Sequence, residues 1–279
     1  MATVKLNRLH IHLTDDQGWR IEIKSYPKLI EIGSESSVAG PSTHGFITQE
    51  EWGQLNQYAL ARAVVIVPEI DLPGHTHAVK ASYPSFGCGT TPWSGWPYRD
   101  IEVGFSQLCW TEEVKTFLRE MLAEVAEMTP GNWIHLGGDE VLGGMANYND
   151  AIGYIEQIIN NHGKVAVGWE EAARGYQNQT SIQQIWQRGT VAGVPYWINS
   201  DCQTLYLDHS DGGSLPAGTQ WMNWCQPRAE NVSSAYNAQP GTIGIEGALW
   251  SEYNSAPEHA EEKYFPRIIA IAEAGWSPL

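Results

Sequence analysis

The sequence predicts an α/β fold in which strands and helices alternate to build a TIM-type (β/α) barrel. Short apolar segments of strand length recur along the chain, and segments with helical spacing of apolar residues lie between them. The chain has 279 residues and no low-complexity linker, which is typical of one large α/β domain. We therefore expect residues 1–279 to form a single barrel domain with parallel strands.

The first half of the chain is expected to supply three strands and two helices. Thr48 and Glu51 have the spacing of a capping box at the start of the first helix. Thr111, followed by two glutamates, predicts the start of the second helix. A long loop at residues 83–109 precedes that helix. The strands are apolar runs at residues 6–13, at residues 63–70 and from Trp133.

The second half continues the alternation, and the predicted strands of the whole chain number seven. A closed barrel of this type has eight strands, so one is not found, and it does not belong in the middle. Pro266 falls inside the last predicted helix. The helices are expected at residues 149–161 and 257–274, and the strands at residues 164–169, 181–186, 204–207 and 242–249.

Charge and composition argue against two classes of partner. The chain has 16 Lys and Arg against 32 Asp and Glu, a formal net charge of −16. Nucleic acids and anionic membranes attract positive charge, so neither is expected as a partner. No apolar run has the length of a membrane span, and residues 1–12 lack the pattern of a signal peptide. The 13 Trp and 12 Tyr exceed the needs of a core, and such rings can stack on the apolar faces of sugars.

The four cysteines lack the paired spacing of a zinc site. Cys88 and Cys109 flank the long loop, and we expect a disulfide to close it. A disulfide indicates an oxidising environment, so a secreted, periplasmic or lysosomal-type location is expected rather than the cytoplasm.

The chain is organised around residues 133–140, WIHLGGDE. An apolar strand start is followed by two glycines and then by Asp139 and Glu140, at the end of a strand where α/β barrels carry their chemistry. Adjacent side chains of an extended chain point to opposite sides, so the two carboxylates would have different roles. Two nearby carboxylates also raise one pKa, which lets one acid hold a proton near neutral pH. The alternative is an acidic N-cap for the next helix.

Polar and aromatic residues follow every predicted strand. Residues that serve stability alone would not be restricted to that one face of a barrel. Acids beside tryptophans fit the cleavage of a glycosidic bond, and the chain has neither a phosphate-binding glycine loop nor a GxSxG motif. The residues are Asp15, Asp16, Asp71, His75, Asp139, Glu140, Trp169, Glu170, Trp186, Tyr206, Asp208, Trp250 and Glu252.

Six motifs in order resemble those of family 20 glycoside hydrolases, the β-N-acetylhexosaminidases: LHIHLTDDQGWRIEI, PEIDLPGHT, HLGGDE, VGWEE, LYLDH and ALWSE. The resemblance covers nearly the whole chain. It implies exo-acting, retaining release of terminal β-linked N-acetylglucosamine or N-acetylgalactosamine from a carbohydrate. The 2-acetamido oxygen of the substrate would act as nucleophile, through an oxazolinium intermediate. No cofactor and no metal ligand are implied.

The resemblance also implies roles for individual residues. Glu140 would be the general acid and then the base, and Asp139 would hold the acetamido N–H. Tyr206 would hydrogen-bond the acetamido oxygen, while His75, paired with Asp15, would sit behind Glu140. The substrate-binding residues would be Trp169, Trp186 and Trp250 around the acetamido group, Trp221 against the next sugar, Asp208 and Glu252 at outer hydroxyls, and Asp71 supporting the residues behind Glu140.

One departure from the family pattern affects the fold. Members begin their barrel with an earlier strand, which carries a substrate-binding arginine, and a first helix. Neither is found in this chain, so the barrel is expected to be incomplete at its N-terminus. Two strand edges would then be unpaired, at residues 6–13 and 242–249. We expect either self-association, which would close the barrel as a homo-oligomer, or a destabilised monomer.

Two other functions remain open at the level of sequence. His10 and His12 lie two apart on a predicted strand and, with His75, His77 and Asp139, resemble the ligands of a metal-dependent amidohydrolase. The other alternative is a protein that binds N-acetylhexosamine but is impaired in cleavage.

Overall fold

A computed structural model of the chain describes residues 1–36, 38, 43–88, 95–141, 147–187, 193–208, 225, 242–252, 254 and 256–277. Its centre is a sheet of seven parallel strands, each paired with the next along the chain. The sheet curls as a partial TIM barrel, and the predicted fold class and strand number are confirmed. The strands are β1 (Arg8–His12), β2 (Val65–Glu69), β3 (Trp133–His135), β4 (Val165–Trp169), β5 (Ile182–Ile185), β6 (Tyr196–Asn199) and β7 (Thr242–Ile245).

Helices lie between the strands and bury apolar faces against them. In the part of the chain that the structure describes, no helix is long and apolar enough to cross a membrane. The helices are α1 (Lys28–Glu31), α2 (Gln49–Leu60), α3 (His77–Ser82), α4 (Glu112–Met128), α5 (Tyr148–Asn161), α6 (Cys202–Leu205), α7 (Pro257–Tyr264) and α8 (Arg267–Trp276). Short 3₁₀ turns occupy Ala2–Val4, Pro84–Phe86 and Ala172–Gly175.

The predicted starts of α2 and α4 are confirmed. The Thr48 hydroxyl accepts from the Glu51 N–H at 3.1 Å, and the Glu51 carboxylate accepts from the Thr48 N–H at 2.9 Å. These reciprocal bonds satisfy two backbone donors that have no partner within the helix. The Thr111 hydroxyl accepts from the Val114 N–H in the same way. The α4 helix then buries its apolar stripe: Val114, Phe117, Leu118, Met121, Leu122 and Val125.

The strand predicted at residues 204–207 is wrong. That region begins with α6, which Asp201 caps by accepting from the Gln203 N–H at 3.1 Å. The strand lies upstream, at β6, where Tyr196, Trp197 and Ile198 pair between β5 and β7. Both segments are rich in aromatic and apolar residues, so composition alone does not separate them. The capping aspartate decides the outcome, because it starts a helix immediately after the strand.

The single helix predicted at residues 257–274 is also wrong. The structure has two helices, α7 and α8, and Pro266 is the residue that precedes α8. Proline has no N–H to donate, and its ring clashes with the preceding turn, so a continuous helix is interrupted there. The change in direction lets Lys263 of α7 and Arg267 of α8 both lie near Asp208.

The two ends of the sheet approach each other without backbone pairing between β1 and β7 in the described strands. Two side-chain contacts connect these ends. The Nδ1 atom of His10 on β1 lies 2.9 Å from Oε1 of Glu246, the residue after β7. The Trp276 indole N–H, at the end of α8, donates to the Lys5 carbonyl at 2.7 Å. In the described residues, side-chain hydrogen bonds therefore connect the two ends of the sheet, which backbone hydrogen bonds between β1 and β7 do not.

Among the described residues, the outer edges of β1 and β7 have no strand partner, and this predicts self-association because open strand edges pair readily with other chains. Ile243 in β7 is 44% exposed, and an Ile243→Lys variant places a charge at this edge. Light scattering should show the wild type as an oligomer and the variant shifted toward monomer. Leu60→Lys, at a residue of similar exposure on α2, is the control and should leave the association unchanged. A wild type that is monomeric at high concentration and has high thermal stability would contradict the prediction.

Candidate active site

The turn after β3 depends on two glycines. Gly137 and Gly138 have φ angles of +73° and +97°, in the region that L side chains rarely adopt. A Cβ atom on Gly137 would lie 1.8 Å from Oδ1 of Asp71, and one on Gly138 would lie 2.7 Å from Cβ of Ala172. The Gly138 N–H donates to the same Asp71 oxygen at 3.1 Å. The two glycines therefore let Asp71 pack directly beneath the Asp139–Glu140 pair.

Left-handed backbone is concentrated around this turn. His75 and Glu140 have φ angles of +49° and +51°, although neither is glycine, and Phe105 in the neighbouring loop has +48°. Non-glycine residues in this conformation carry strain that persists only where the surroundings hold it. Three of the five such residues in the described chain lie in these segments, which marks them as a functional site.

His75 brings three acids together. Its Nδ1 atom lies 2.9 Å from Oδ1 of Asp15, and its Nε2 atom lies 3.6 Å from Oδ2 of Asp139 and 3.5 Å from Oε2 of Glu140. The imidazole is 8% exposed, and Glu140 is the most accessible of the two acids it contacts through Nε2. The structure therefore places four of the predicted catalytic residues in one contact cluster.

The pKa values of His75, Asp139 and Asp71 are all raised, but for different physical reasons. Burial would lower the pKa of His75, but Asp71, Asp139 and Asp15 outweigh it and raise that pKa well above its usual range. Burial raises the pKa of Asp139 to about 8, against the opposing effect of His75. Burial, with the charge of Asp139, also raises the pKa of Asp71. A raised carboxyl pKa was predicted for one of the adjacent acids, and the structure assigns the rise to Asp139.

Four aromatic side chains form a cluster on the other side of β3. The ring centroid of Trp250 lies 5.8 Å from that of Trp169 and 5.7 Å from that of Tyr206. Trp186 completes the cluster, and its indole N–H donates to Oε2 of Glu171 at 3.1 Å. After burial, the charge of Asp139 is the next cause that raises the pKa of Tyr206, so the cluster reaches the acids. Four aromatic residues that the sequence predicted after separate strands are thus in one cluster, and their role as walls around a substrate stays a prediction.

A disulfide between Cys202 and Cys225 packs against the same cluster. Sequence analysis did not predict it, because the two cysteines have no motif and meet only in the fold. The predicted Cys88–Cys109 disulfide is confirmed and closes the loop beside an antiparallel pairing of Gly87–Cys88 with Gln107–Leu108.

The remaining predicted sugar-binding residues, Asp208, Glu252 and Trp221, differ from one another in burial and in whether the structure describes them. Asp208 is fully buried, and burial raises its pKa to about 6 against backbone hydrogen bonds and the charges of Lys263 and Arg267. Glu252 lies on the exposed segment after β7. Trp221 lies outside the described residues, and its role stays a prediction.

An ionic network that the sequence did not predict lies inside the barrel, next to the aromatic cluster. Glu69 is fully buried at the end of β2, where its carboxylate lies 2.8 Å from Nε2 of His10 and 3.0 Å from Nδ1 of His135. It also accepts from the Trp169 indole N–H at 2.9 Å. Glu246 approaches His10 from the opposite side and accepts from the Gln184 amide at 2.8 Å. An acid inside the apolar run AVVIVPEI is the signal that could have revealed this network.

Four sets of His, Asp and Glu in the described chain are close enough to share one ion: His10, Glu69 and His135; His12, Glu69 and Asp71; Asp15, Asp16 and His75; and Asp71, His75 and Asp139. The metal-dependent alternative needs His10, His12, His75, His77 and Asp139 around one centre. These residues are divided among separate sets, and His77 belongs to none of the four. The donor arrangement therefore does not match the predicted amidohydrolase ligands.

Asp16 was predicted as one of the strand-end acids, and the structure gives it a structural role. It is fully buried and accepts from the backbone N–H groups of His77 at 3.0 Å and Gly104 at 2.8 Å. The Ser106 hydroxyl also donates to it. The side chain thus ties the turn after β1 to the loop that follows β2.

Comparison with known proteins gives consistent matches over the whole chain. A family model described as "Glycosyl hydrolase family 20, catalytic domain" matches residues 1–153 and 145–279. A β-N-acetylhexosaminidase of Cellulomonas fimi is 33% identical over 99% of this chain and 58% of its own length. The solved β-N-acetylhexosaminidase of Streptomyces coelicolor A3(2) superposes with a TM-score of 0.86 at 32% identity, over 99% of this chain and 59% of that one.

A mutant β-hexosaminidase of Streptomyces plicatus, solved in complex with its product GlcNAc, also has a TM-score of 0.86 at 32% identity. The alignment covers 99% of this chain and 59% of that one. The chain thus spans somewhat more than half the length of these three relatives.

The interior network predicts a pH-dependent stability. Burial alone would lower the pKa of His10, but Glu246 and Glu69 outweigh it and raise it to about 10. Between the ordinary value near 6.5 and about 10 the folded chain binds the proton and the unfolded chain does not. The free energy of unfolding should therefore fall as pH rises through this window, and be fully retained below it. Urea unfolding at pH 6, 7.5 and 9 measures the slope.

His10→Gln is the matched variant for this measurement, because the amide can keep a hydrogen bond but carries no proton that titrates. Its unfolding free energy should fall less between pH 6 and pH 9 than that of the wild type. An identical slope in both proteins would show that His10 does not hold the extra proton.

Proposed function

The chain belongs to glycosyl hydrolase family 20, and on that premise we propose that it is an exo-acting β-N-acetylhexosaminidase. It would release terminal β-linked N-acetylglucosamine or N-acetylgalactosamine with retention of configuration. The observation that carries the proposal is the meeting of Asp139 and Glu140 at His75, beside a cluster of four aromatic side chains. Acids on one side and flat apolar rings on the other fit a sugar with a reacting glycosidic bond.

Glu140 is the proposed general acid. It is the more exposed of the two acids at His75 Nε2, so a substrate can reach its carboxyl group. In the first step it gives its proton to the glycosidic oxygen as the bond to the anomeric carbon breaks. In the second step it takes a proton from the water that attacks that carbon. His75, held by Asp15 on its other nitrogen, is the group behind Glu140 that supports the proton exchange.

The proposed nucleophile is the carbonyl oxygen of the substrate's own acetamido group. Its attack on the anomeric carbon forms the new C–O bond of an oxazolinium ring as the leaving oxygen departs. Asp139, in its ionised form, would accept a hydrogen bond from the acetamido N–H and balance the positive charge that develops there. Because its pKa is raised to about 8, this form becomes more populated as the pH rises toward that value. Tyr206 would donate to the acetamido oxygen. The buried position of both groups strengthens these contacts, because a charge interacts more strongly where water is excluded.

The aromatic cluster would set the selectivity for the acetamido group. Trp169, Trp186 and Trp250 would enclose its methyl group. Two of these rings are fixed by hydrogen bonds, because the Trp169 indole N–H donates to Glu69 and the Trp186 indole N–H donates to Glu171. Asp208 and Glu252 would bind outer hydroxyls of the terminal sugar, and Trp221 the next sugar. The relatives named above are hydrolases, which gives no support to an impaired sugar-binding protein.

We also propose a secreted, periplasmic or lysosomal-type location. The two disulfides support it, because such bonds persist in oxidising compartments.

Glu140→Gln should remove most of the turnover while leaving ligand binding largely intact. The amide keeps the shape of the side chain but has no proton to give, and general acid–base catalysis contributes about 10²–10⁴-fold. The measurement compares the rates at which wild type and variant hydrolyse N,N′-diacetylchitobiose and an aryl N-acetylglucosaminide. Because an aryl leaving group needs less protonation, the rate of the first step should fall less for the aryl substrate than for the disaccharide. Near-native cleavage of the disaccharide by the variant would disprove the assignment.

A thiazoline analogue of the cyclised intermediate should inhibit far more strongly than N-acetylglucosamine binds. Transition-state-like ligands gain about 10²–10⁸-fold over substrate when a site is built for them. Asp139→Asn should weaken the thiazoline more than the plain sugar, because the charge that Asp139 balances appears only on cyclisation. Inhibition constants for both ligands with both proteins measure the difference.

The control for the mechanism is a 2-fluoro sugar that lacks the acetamido group. It should neither label the protein nor turn over appreciably, since its nucleophile is missing. Mass spectrometry that recovered a 2-fluoroglycosyl adduct on Glu140, Asp139 or another carboxylate would replace the proposal with a two-carboxylate retaining mechanism.

A further inference from the structure

Two glutamates that the proposed mechanism does not use follow directly after Trp169 at the end of β4. They are Glu170 and Glu171, and the chain turns there into the 3₁₀ turn Ala172–Gly175. Glu171 already has helical backbone angles, with φ of −64° and ψ of −39°. Successive side chains of a helical turn point about 100° apart. The two carboxylates therefore leave the backbone in different directions and can reach two parts of one neighbour.

Both carboxylates bind Trp186, the first residue after β5. Oε2 of Glu170 accepts from the backbone N–H groups of Trp186 and Gln187, each at 3.1 Å. Oε2 of Glu171 accepts from the Trp186 indole N–H, also at 3.1 Å. The contacts of Glu170 fix the main chain of Trp186, and the contact of Glu171 fixes the rotation of its ring.

The hydrogen bond to Glu171 supplies what packing alone does not. Trp186 is buried in the aromatic cluster, together with Trp169 and Tyr206. Apolar burial is non-directional, so it holds the ring in the cluster without selecting one orientation. The indole has one donor, and a hydrogen bond weakens steeply when donor and acceptor are misaligned. Glu171 therefore determines how the Trp186 ring is turned within the cluster.

The surroundings of Glu171 disfavour a charge on its side chain. Burial raises the pKa of Glu171, the hydrogen bond from Trp186 lowers it, and the charges of Glu170 and Glu140 raise it further. An ionised carboxylate among other acids costs stability. Perturbed acids of this kind are concentrated at functional sites. The position of Glu171 thus indicates a role at the site rather than a contribution to stability alone.

We propose that Glu170 and Glu171 form a clamp that orients Trp186 and thereby sets which N-acyl group the site accepts. The proposal rests on the function proposed above, in which Trp186 is one wall around the acetamido methyl group. A ring held at a fixed angle leaves space for a methyl group, whereas a longer acyl chain meets the ring. When the indole hydrogen bond is lost, the ring can turn and admit the longer chain. Both glutamates are positioning residues, because they act through Trp186.

The test is the Glu171→Leu variant, which keeps the approximate size of the side chain and removes the acceptor. The substrates are an aryl N-acetyl-β-glucosaminide and the matching N-propanoyl compound, which has one more methylene. In the wild type, kcat/KM should favour the N-acetyl substrate by about 10–200-fold, as expected for a methylene that a pocket excludes. In the variant this preference should fall about 3–10-fold, as expected for one lost hydrogen bond. A loss of folded protein would lower both rates equally and leave the preference unchanged.

Two further variants serve as controls. Glu171→Gln keeps an oxygen that can accept from the indole N–H and should keep the preference. Glu120→Leu also removes a carboxylate that accepts from an aromatic side chain, the Tyr26 hydroxyl at 2.6 Å. This pair lies on α4, where Tyr26 packs against Phe117 and outside the aromatic cluster, so the preference should stay unchanged.

The outcomes separate the two proposals. A wild type that hydrolyses neither substrate overturns the proposed function and the clamp with it. A wild type that hydrolyses the N-acetyl substrate, with an unchanged preference in Glu171→Leu, overturns the clamp and leaves the proposed function standing. An equal loss of preference in Glu171→Gln and Glu171→Leu does the same, because the glutamine still has an acceptor.

Glu171→Asp keeps the test decisive if Glu171→Leu does not fold. Aspartate keeps the charge but draws the carboxylate back by one methylene, away from the indole N–H. The preference for the N-acetyl substrate should then fall in the same direction as in the leucine variant. An unchanged preference in folded Glu171→Asp would overturn the clamp.

Discussion

Histidine side chains hold the buried carboxylates of this barrel in place, and the rest of the site depends on that compensation. Glu69 and Glu246 lie on two sides of His10, and Asp15, Asp139 and Glu140 all lie around His75. Burying a charge without a partner costs far more than a well-packed core can recover. Protonated His10 and His75 offset the charge of the acids around them, and those acids in turn raise the pKa of both histidines.

The same compensation connects the interior to the mouth of the barrel. Glu69 holds the Trp169 indole through one oxygen and His10 through the other. The orientation of a ring at the mouth thus depends on a carboxylate that no substrate touches. Asp71 has a similar position between the backbone of Gly138 and the acids above it. The positions of Trp169 and of the Gly138 backbone are thus fixed by hydrogen bonds to two buried carboxylates, Glu69 and Asp71.

The alternation of strands and helices was predictable from the sequence, but two boundaries were not. The segments at Tyr196 and Thr204 have similar composition, and only the capping contact of Asp201 made one of them helical. Helical spacing continues through Pro266, although the proline ends one helix there. Local caps and ring sterics outweigh apolar periodicity at such points.

In the site, the strand-end motifs predicted Asp139, Glu140, His75 and Asp15 together, because the ends of parallel strands meet at one face. The contact partners of Glu69, Glu246 and Asp16 were not predictable, since they lie far away in sequence. Asp16 contacts residues 61, 88 and 90 positions further along the chain. No local pattern records such contacts, and the positive φ of Phe105 follows from them.

The contact between His10 and Glu246 also bears on how the chain reaches its native state. The two residues are 236 positions apart, so bringing them together requires the closure of a very long loop. Strands that pair with their sequence neighbours close much shorter loops and can assemble earlier. We therefore expect the contact between the first and last strands to form late in folding. Trp250 and Glu252 lie beyond Glu246 in the chain, so we expect this end of the proposed site to be completed together with that late contact.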